Sequence, residues 1–487
     1  MSNYEELHVD ATHIAPIPRA TWRLAAVVVF GAFMSGLDAS VVYVALDTLA
    51  RELHTDLATA QWASTGYLVA LGVSLPLCGW LGRRVGVGRL WLAALAAFTV
   101  TSALCALAPT VGWLIALRVL QGLSAGLLIP AGHTILGQAV GPARLGRVIS
   151  TLGIAVTAAP ALGPVVGGIL IDVASWQWLF LVNVPIGIVG FALGLRHIPR
   201  GTPEDVGRLD RVGIVLLTVG LPLGVWGATA WGEQQSLARA EVVVPILVGA
   251  LALAGYVVHA RRTTRPVLDL TLFANGRYAA AAATAVFTGA SLFGAGLLFP
   301  LYFQLGRGAS ALETGLLLVS LGVGTIVALP TSGRLVDRYG GGPVSLAGGL
   351  ASILTTAPFL LLSGGANPVL VQALLVLRGA ATALAVVPAT TSAYKAVTRD
   401  QLPDATTQVS IAQRLGGALG GSLIAVVLAG RLEGGADGAL HAAFACLLVA
   451  SVLGLFTAAW LSVAECTATS PDGTSTSANH PTLRSHA

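Results

Sequence analysis

The sequence predicts an all-α polytopic membrane protein of fourteen spans, built as two six-helix bundles plus two additional transmembrane helices. Three observations predict it. Of 487 residues, 55% are hydrophobic and 10% charged, with a mean hydropathy of +0.81, whereas a soluble chain carries about 25% charged residues. Apolar runs long enough to cross ~30 Å recur along the whole chain. The basic residues between those runs fall on alternate sides, and the two ends of the chain carry copies of the same short motifs.

Runs of roughly 20 apolar residues fall at 22–46, 59–82, 88–108, 112–136, 145–171, 176–195, 212–231, 241–260, 278–304, 311–333, 344–364, 367–391, 404–430 and 438–462. With a cytoplasmic N-terminus, twenty Arg and Lys lie in inner segments, among them Arg83, Arg84, Arg89, Arg261 and Arg262. Arg51, Arg239, Arg307 and Arg431 lie outside, and Arg118, Arg378 and Arg414 lie within spans. Miscounting one span would swap every later loop and erase that bias, so both termini are expected inside. The net charge of +5 reflects this rule and does not indicate nucleic-acid binding.

The acidic, polar start MSNYEELHVD lacks the positive charge that opens a cleavable signal peptide. Cys78, Cys105, Cys446 and Cys466 have neither CxxC nor Cys/His spacing, so disulfide and metal sites are both poor readings. The one lysine, Lys395, follows Tyr394, so no Walker A loop is encoded. No cofactor is expected; energy must come from a gradient or a separate subunit.

Gly79-Trp80-Leu81-Gly82-Arg83-Arg84-Val85-Gly86 after the second span recurs as Gly333-Arg334-Leu335-Val336-Asp337-Arg338-Tyr339-Gly340 after the tenth, 254 residues on. Val119-Leu120-Gln121-Gly122 recurs as Val376-Leu377-Arg378-Gly379, 257 residues on. Two halves in the same orientation therefore flank the seventh and eighth spans. The expected division is a cytoplasmic segment 1–21, a bundle 22–195, a linker with two extra helices 196–277, a second bundle 278–464 and a disordered cytoplasmic tail 465–487.

Asp38 sits inside the first span, where a carboxylate costs at least ~2.5 kcal/mol on insertion scales. At ~1.5 Å per residue it lies about 24 Å from the inner face, and Arg118 of the fourth span about 9 Å from the outer face, so their depths agree to about one helical turn. One reading is a proton acceptor: burial disfavours its charged form, Arg118 favours it, and the balance changes as the site opens to each side. The other is a static ion pair locking the two spans. Pro160, Gly163, Pro164, Gly167 and Gly168 leave the fifth span without side chains on one face, which suits a hinge and a seal against a helix of the other half, or tight packing alone.

Four motifs together resemble the major facilitator superfamily, and within it the fourteen-span drug:proton antiporters of the EmrB/QacA type, over roughly residues 20–465. They are Leu37-Asp38-Ala39-Ser40-Val41-Val42-Tyr43-Val44-Ala45-Leu46 in the first span and Arg118-Val119-Leu120-Gln121-Gly122 in the fourth. The fifth carries Ala158-Ala159-Pro160-Ala161-Leu162-Gly163-Pro164-Val165-Val166-Gly167-Gly168, and the sixth opens with Trp176-Gln177-Trp178-Leu179-Phe180-Leu181-Val182-Asn183-Val184-Pro185-Ile186-Gly187. The resemblance implies a non-enzymatic multidrug or antibiotic efflux transporter working by alternating access. It would sit in a bacterial inner membrane as a functional monomer, with a small amphipathic drug, protons and lipid as partners. A proton-coupled importer on the same scaffold is the alternative, and the fifth-span motif counts against it. An intramembrane lipid-modifying enzyme would need clustered acids or metal ligands, which the sequence lacks.

Cytoplasmic gating is expected at Gly79, Arg84 and Gly86 and at Gly333, Asp337, Arg338 and Gly340. The family prefers an acid where this chain has Arg83. In relatives that acid clamps a neighbouring helix, so Arg83 reads here as a plain basic turn, while Asp337 and Arg338 keep the second-half copy. Tyr43, Gln121, Gln304, Arg378, Gln413 and Arg414 are the candidates for substrate contact in a mostly apolar cleft. For Arg378 and Arg414 the alternative is hydrogen bonding to carbonyls freed near Pro388 and Gly416. His133, near the inner end of the fourth span, reads as a local hydrogen-bonder.

Overall fold

The computed structural model describes residues 17–469 apart from 142, 143, 206, 208, 235–237, 265, 310, 363, 364, 433 and 434; for some helical residues, Tyr43, Pro160 and Pro164 among them, it describes the backbone alone. Every regular element among the described residues is helical. In chain order these are α1 Arg19–Val44, α2 Leu46–Glu52, α3 Leu57–Ser74, α4 Leu77–Val85, α5 Val87–Ala106, α6 Val111–Val140, α7 Leu145–Val173, α8 Trp178–Leu181 and α9 Asn183–His197. There follow α10 Arg211–Gln234, α11 Ala240–Arg262, α12 Gly276–Leu301, α13 Ala311–Tyr339, α14 Gly341–Thr356, α15 Pro368–Lys395, α16 Leu402–Ala429 and α17 Ala436–Thr469.

Among the described residues twelve helices are long and apolar enough to cross a membrane, and the pair Thr59–Ser74 and Leu77–Val85, bent by 59°, would make a thirteenth. That count falls short of the fourteen spans expected. The expected span outside it is α7, a helix of 29 residues, several of which are described by backbone alone. The chain is a multi-pass membrane protein. Residues 465–469, expected in the tail, belong to α17, which continues to Thr469, and Glu465 accepts from Gly342 N at 2.8 Å and Ser392 Oγ at 2.6 Å; 470–487 lie outside the described residues.

Local chemistry explains the breaks. Asp56 accepts from Thr59 N at 2.7 Å at the start of α3, and Asn275 from Arg277 N at 3.0 Å at the start of α12. These side chains serve amides that have no preceding helical turn. Pro76, which lacks an amide, stands at the bend between α3 and α4. The tight reversals from α4 to α5 and from α13 to α14 turn on Gly86 (φ +90°) and Gly340 (φ +85°), a backbone conformation that costs glycine little.

The helices pack as two similar sets. α1 lies against α7 and α9, α6 against α3 and α5, and α5 against α9; α12 against α16 and α17, α15 against α13 and α14, and α14 against α17 repeat those pairings. Lipid is as apolar as the cores, so close approach rather than hydrophobic burial holds such helices together. A Cβ on Gly122 would run into the Tyr67 carbonyl, and one on Gly379 into that of Leu321, the matching contact of the second set. α10 and α11 form a hairpin beside both sets, with α10 against α16 and α3.

The sets meet where α6 ends and α7 begins, against the ends of α13 and α15 and the start of α16. Thr134 and Thr406 hydroxyls lie 2.9 Å apart, and His133 Nδ1 lies 3.0 Å from the Tyr394 hydroxyl. Asp337 accepts from the Gly146 and Arg147 amides at the start of α7 (3.0 and 3.3 Å), with Arg147 Nε at 3.3 Å and Lys395 Nζ at 3.6 Å. A carboxylate suits a helix N-terminus, where free amides and the helix dipole are both positive. Gly333 fits against the Gly146 carbonyl.

The matching position 254 residues earlier is Arg83, and the structure corrects its reading as a plain basic turn. Arg83 Nη1 lies 2.6 Å from Asp404 Oδ2 in the first turn of α16, with side chains 17% and 7% exposed. Asp404 Oδ1 sits against Gly79, where a Cβ would collide with it. The first-half clamp therefore exists with its charges exchanged. Arg84 and Arg338 are exposed and lie over the neighbouring rings of Trp80 and Tyr339, at 5.0 and 5.1 Å.

Breaking a mostly buried pair from one side costs about 3 kcal/mol, since it strands the other charge. Arg83→Asp and Asp404→Arg should each lower the melting temperature of the purified protein by several degrees, and the exchanged double variant should recover most of that loss. A double variant no better than the worse single one would show that the pair does not hold the halves together.

Candidate functional site

Five helices bring polar groups to one point inside the first set. Asp38 comes from α1, Tyr67 from α3, Ser102 and Cys105 from α5, Arg118 and Gln121 from α6, and Asn183 opens α9. Asp38 and Arg118 are each 1% exposed, and Gln121, Asn183, Ser102 and Tyr67 are fully buried. Arg118 Nη1 donates to Asp38 Oδ2 at 2.5 Å. Asp38 Oδ1 accepts from Gln121 Nε2 at 3.1 Å and from Asn183 Nδ2 at 2.9 Å.

Arg118 is held as fully as its partner. Its Nη1 also donates to Gln121 Oε1 at 2.8 Å and its Nε to the Ala63 carbonyl at 3.0 Å. Its guanidinium carbon stacks 4.0 Å from the Tyr67 ring centre, and the Tyr67 hydroxyl is anchored on the Ser35 carbonyl at 3.2 Å. Asn183 also donates to Ser102 Oγ at 3.1 Å, and Ser102 donates to the Phe180 carbonyl at 2.9 Å. A buried ion pair persists only when its remaining lone pairs and protons find partners, and here Asp38 has donors on both oxygens. Adding a proton to Asp38 would cancel its charge, leave Arg118 without a counter-charge and turn one acceptor into a donor.

Sequence reasoning missed Asn183, Ser102 and Tyr67. Asn183 carried a readable signal, an amide inside an apolar span; Tyr67 and Ser102 carried none. Gln121, expected to touch substrate, belongs instead to the Asp38 network. Gln304 is exposed in the π-helical turn Tyr302–Gly306 that follows α12.

Arg378 lies inside the second set and donates to Ser291, Ser352 and Thr382 hydroxyls, not to carbonyls freed near Pro388. Gln413 donates to Thr390 Oγ1 at 3.3 Å. Arg414 is partly exposed, has no hydrogen bond or ion pair among the described residues, and lies close enough to Tyr67 for its charge to act there. The Tyr43 side chain lies outside the described residues.

The fifth-span motif also sits differently from the expected seal. A Cβ on Gly163 would strike Ser40, and one on Gly167 would press on the Val41 carbonyl, both in α1 of the same set, while Gly168 faces open space. The other half meets α7 nearer its start, where Gly146 approaches Gly333 and Gly153 approaches Leu329. The Pro160 and Pro164 side chains lie outside the described residues.

Removing one donor from a buried carboxylate costs roughly 1–3 kcal/mol. Asn183→Ala should lower the unfolding midpoint accordingly, and Asn183→Asp should lower it further by placing a second carboxylate against Asp38. Equal midpoints for the two variants, measured by thermal unfolding in detergent, would show that Asp38 carries no charge at the test pH.

The chain matches the Major Facilitator Superfamily over residues 28–421 and, in a second match, 281–481. It is 33% identical over 410 residues to the multidrug resistance protein B homolog of Mycobacterium tuberculosis, covering 83% of this chain and 76% of that protein. It is 32% identical over 351 residues to the tetracenomycin C resistance and export protein of Streptomyces glaucescens, covering 70% and 64% respectively. The proton:xylose symporter XylE shares the fold, with a TM-score of 0.63 at 14% identity over 90% of this chain and 94% of that one. By the reach of the family match and by its multidrug-resistance relatives, this all-helical chain belongs to the Major Facilitator Superfamily, whose members are transporters and not enzymes.

Proposed function

We propose that the chain is a proton-coupled exporter of small amphipathic drugs or antibiotics, working by alternating access between the bundles 22–195 and 278–464. The observation that carries this reading is the Asp38 network, a titratable carboxylate buried inside the first bundle with its partners spread over several helices. The resistance and export roles in the names of those relatives support drugs and antibiotics as the cargo. Taking α7 as a span beside the thirteen others would make fourteen, and on that reading the chain belongs to the fourteen-span EmrB/QacA branch. The α10–α11 hairpin then supplies the two additional helices.

The distribution of basic residues supports cytoplasmic termini, and the membrane of this reading is a bacterial inner membrane. On this reading the clamps at Asp337 and Arg83–Asp404 close the cytoplasmic side. A proton entering from outside neutralises Asp38, releases Arg118 and loosens the packing of α1 against α6 and α9. Each proton entering down ~100 mV releases ~2.3 kcal/mol, enough to concentrate a neutral solute about fiftyfold at ~1.4 kcal/mol per decade.

Asp38→Asn should abolish gradient-driven efflux from whole cells while leaving a folded, inserted protein, since the amide keeps the shape but has no proton to exchange. Arg118→Ala should be at least as harmful. Gradient-dependent export by well-expressed Asp38→Asn would sink the proton-acceptor assignment.

Substrate charge is the second test. The second half has Arg378 and Arg414 deep in the membrane and no deep acid to offset a desolvated dication. Neutral, zwitterionic or singly charged amphiphiles should be exported better than rigid dications. A susceptibility panel showing resistance to diamidines and none to monovalent dyes or neutral antibiotics would contradict this.

A further inference from the structure

Arg378 is a permanent cation in the middle of α15, and it is 1% exposed. All of its partners are neutral. Nη1 donates to Thr382 Oγ1 at 2.8 Å and Ser352 Oγ at 3.3 Å, and Nη2 to Ser291 Oγ at 2.6 Å. Its Nε is buried without any partner. Among the described residues no carboxylate pairs with it, whereas Arg118 in the other half has Asp38. An unbalanced charge at this depth is costly, and buried cations are ordinarily matched by a counter-charge.

A cavity of about 20 Å³ adjoins Arg378, lined by Ser291, Ser345, Ser352, Thr288 and Ser451 among others, with no acidic residue in its wall. About 10–15 Å³ of such volume holds one water-sized particle, so neither a drug nor an organic carboxylate fits. What the cavity offers is a wall of hydroxyls beside a guanidinium that has no counter-charge. Ser291 and Ser352 both accept from Arg378; Ser291 passes its own proton to Ser451 Oγ at 3.3 Å, since Ser451 donates to the Leu447 carbonyl, while the Ser352 proton is left to donate elsewhere. Donors without a balancing negative charge select an anion over a cation, and the size selects a monoatomic one.

We propose that this cavity binds a single halide, chloride in the cell, on Arg378 and Ser352. The anion neutralises the second bundle internally as Asp38 neutralises the first. This site is independent of the proton role of Asp38 and of the identity of any exported drug.

The test uses the full-length purified protein in detergent, exchanged into gluconate and titrated with chloride or bromide at constant ionic strength. Wild type should show a saturable rise in melting temperature and should bind radiolabelled chloride at one per chain. Arg378→Gln should weaken that binding on the order of tenfold or more, equivalent to ~1.4 kcal/mol. Ser352→Asp supplies a built-in counter-charge, so it should melt in gluconate near where wild type melts in chloride, and it should bind no halide. This variant keeps the proposal testable if Arg378→Gln does not fold. Absence of saturable chloride binding by wild type, or binding unchanged in Ser352→Asp, would overturn the site and leave the cavity to water.

Discussion

A carboxylate placed in hydrocarbon has to be matched from every side, and the first half of this protein is arranged around that requirement. Asp38 takes a charged donor on one oxygen and two amide donors on the other. Each donor comes from an element that must be held in register to within a hydrogen-bond length. Glycines allow that register: Gly122 lets α6 settle on the Tyr67 carbonyl, and Gly163 lets α7 settle on Ser40, two residues beyond Asp38. A side chain at either position would push apart the helices that carry the network. Packing and electrostatics therefore constrain one another, and the residue costliest to bury is also the one best placed to respond to a proton.

The two halves repeat a backbone plan but not its charges. Gln121 and Arg378 occupy matching positions, yet one completes an ion-pair network and the other points a cation at hydroxyls. The gate shows a similar exchange. Asp337 caps the start of α7 with its carboxylate, whereas at the matching position Arg83 reaches an acid that has moved to the first turn of α16. An acid near a helix N-terminus is favourable in both arrangements, which explains how either polarity can close the same joint. A pairing rule carried by helix geometry tolerates such exchanges; a rule carried by a single residue type would not.

The transmembrane character of the chain, its basic-residue bias and its duplication were legible because they rest on periodicity and local composition, which need no tertiary information. The Asp38–Arg118 pair was legible because a charge in an apolar span is rare, and rise per residue brings only a few such charges to one depth. Asn183 could have been found in the same way. Tyr67 and Ser102 could not, since nothing local distinguishes a buried hydroxyl that anchors a network from one that bonds its own helix.

What only the tertiary structure decided is which way each side chain faces and which half it meets. Gln121 and Arg378 looked like cleft residues and proved to be interior to their bundles, because azimuth around a helix depends on its neighbours. Arg83 looked like an ordinary positive-inside residue, and its partner lies 321 positions away in sequence. The glycines of α7 looked like a seal between halves and lie against α1 in this conformation. Local sequence determined the helices, their ends and the depth of each charge, because hydrogen bonding and membrane thickness act along one segment at a time. Pairings across helices were left to the fold, because they depend on the mutual orientation of segments far apart in the chain.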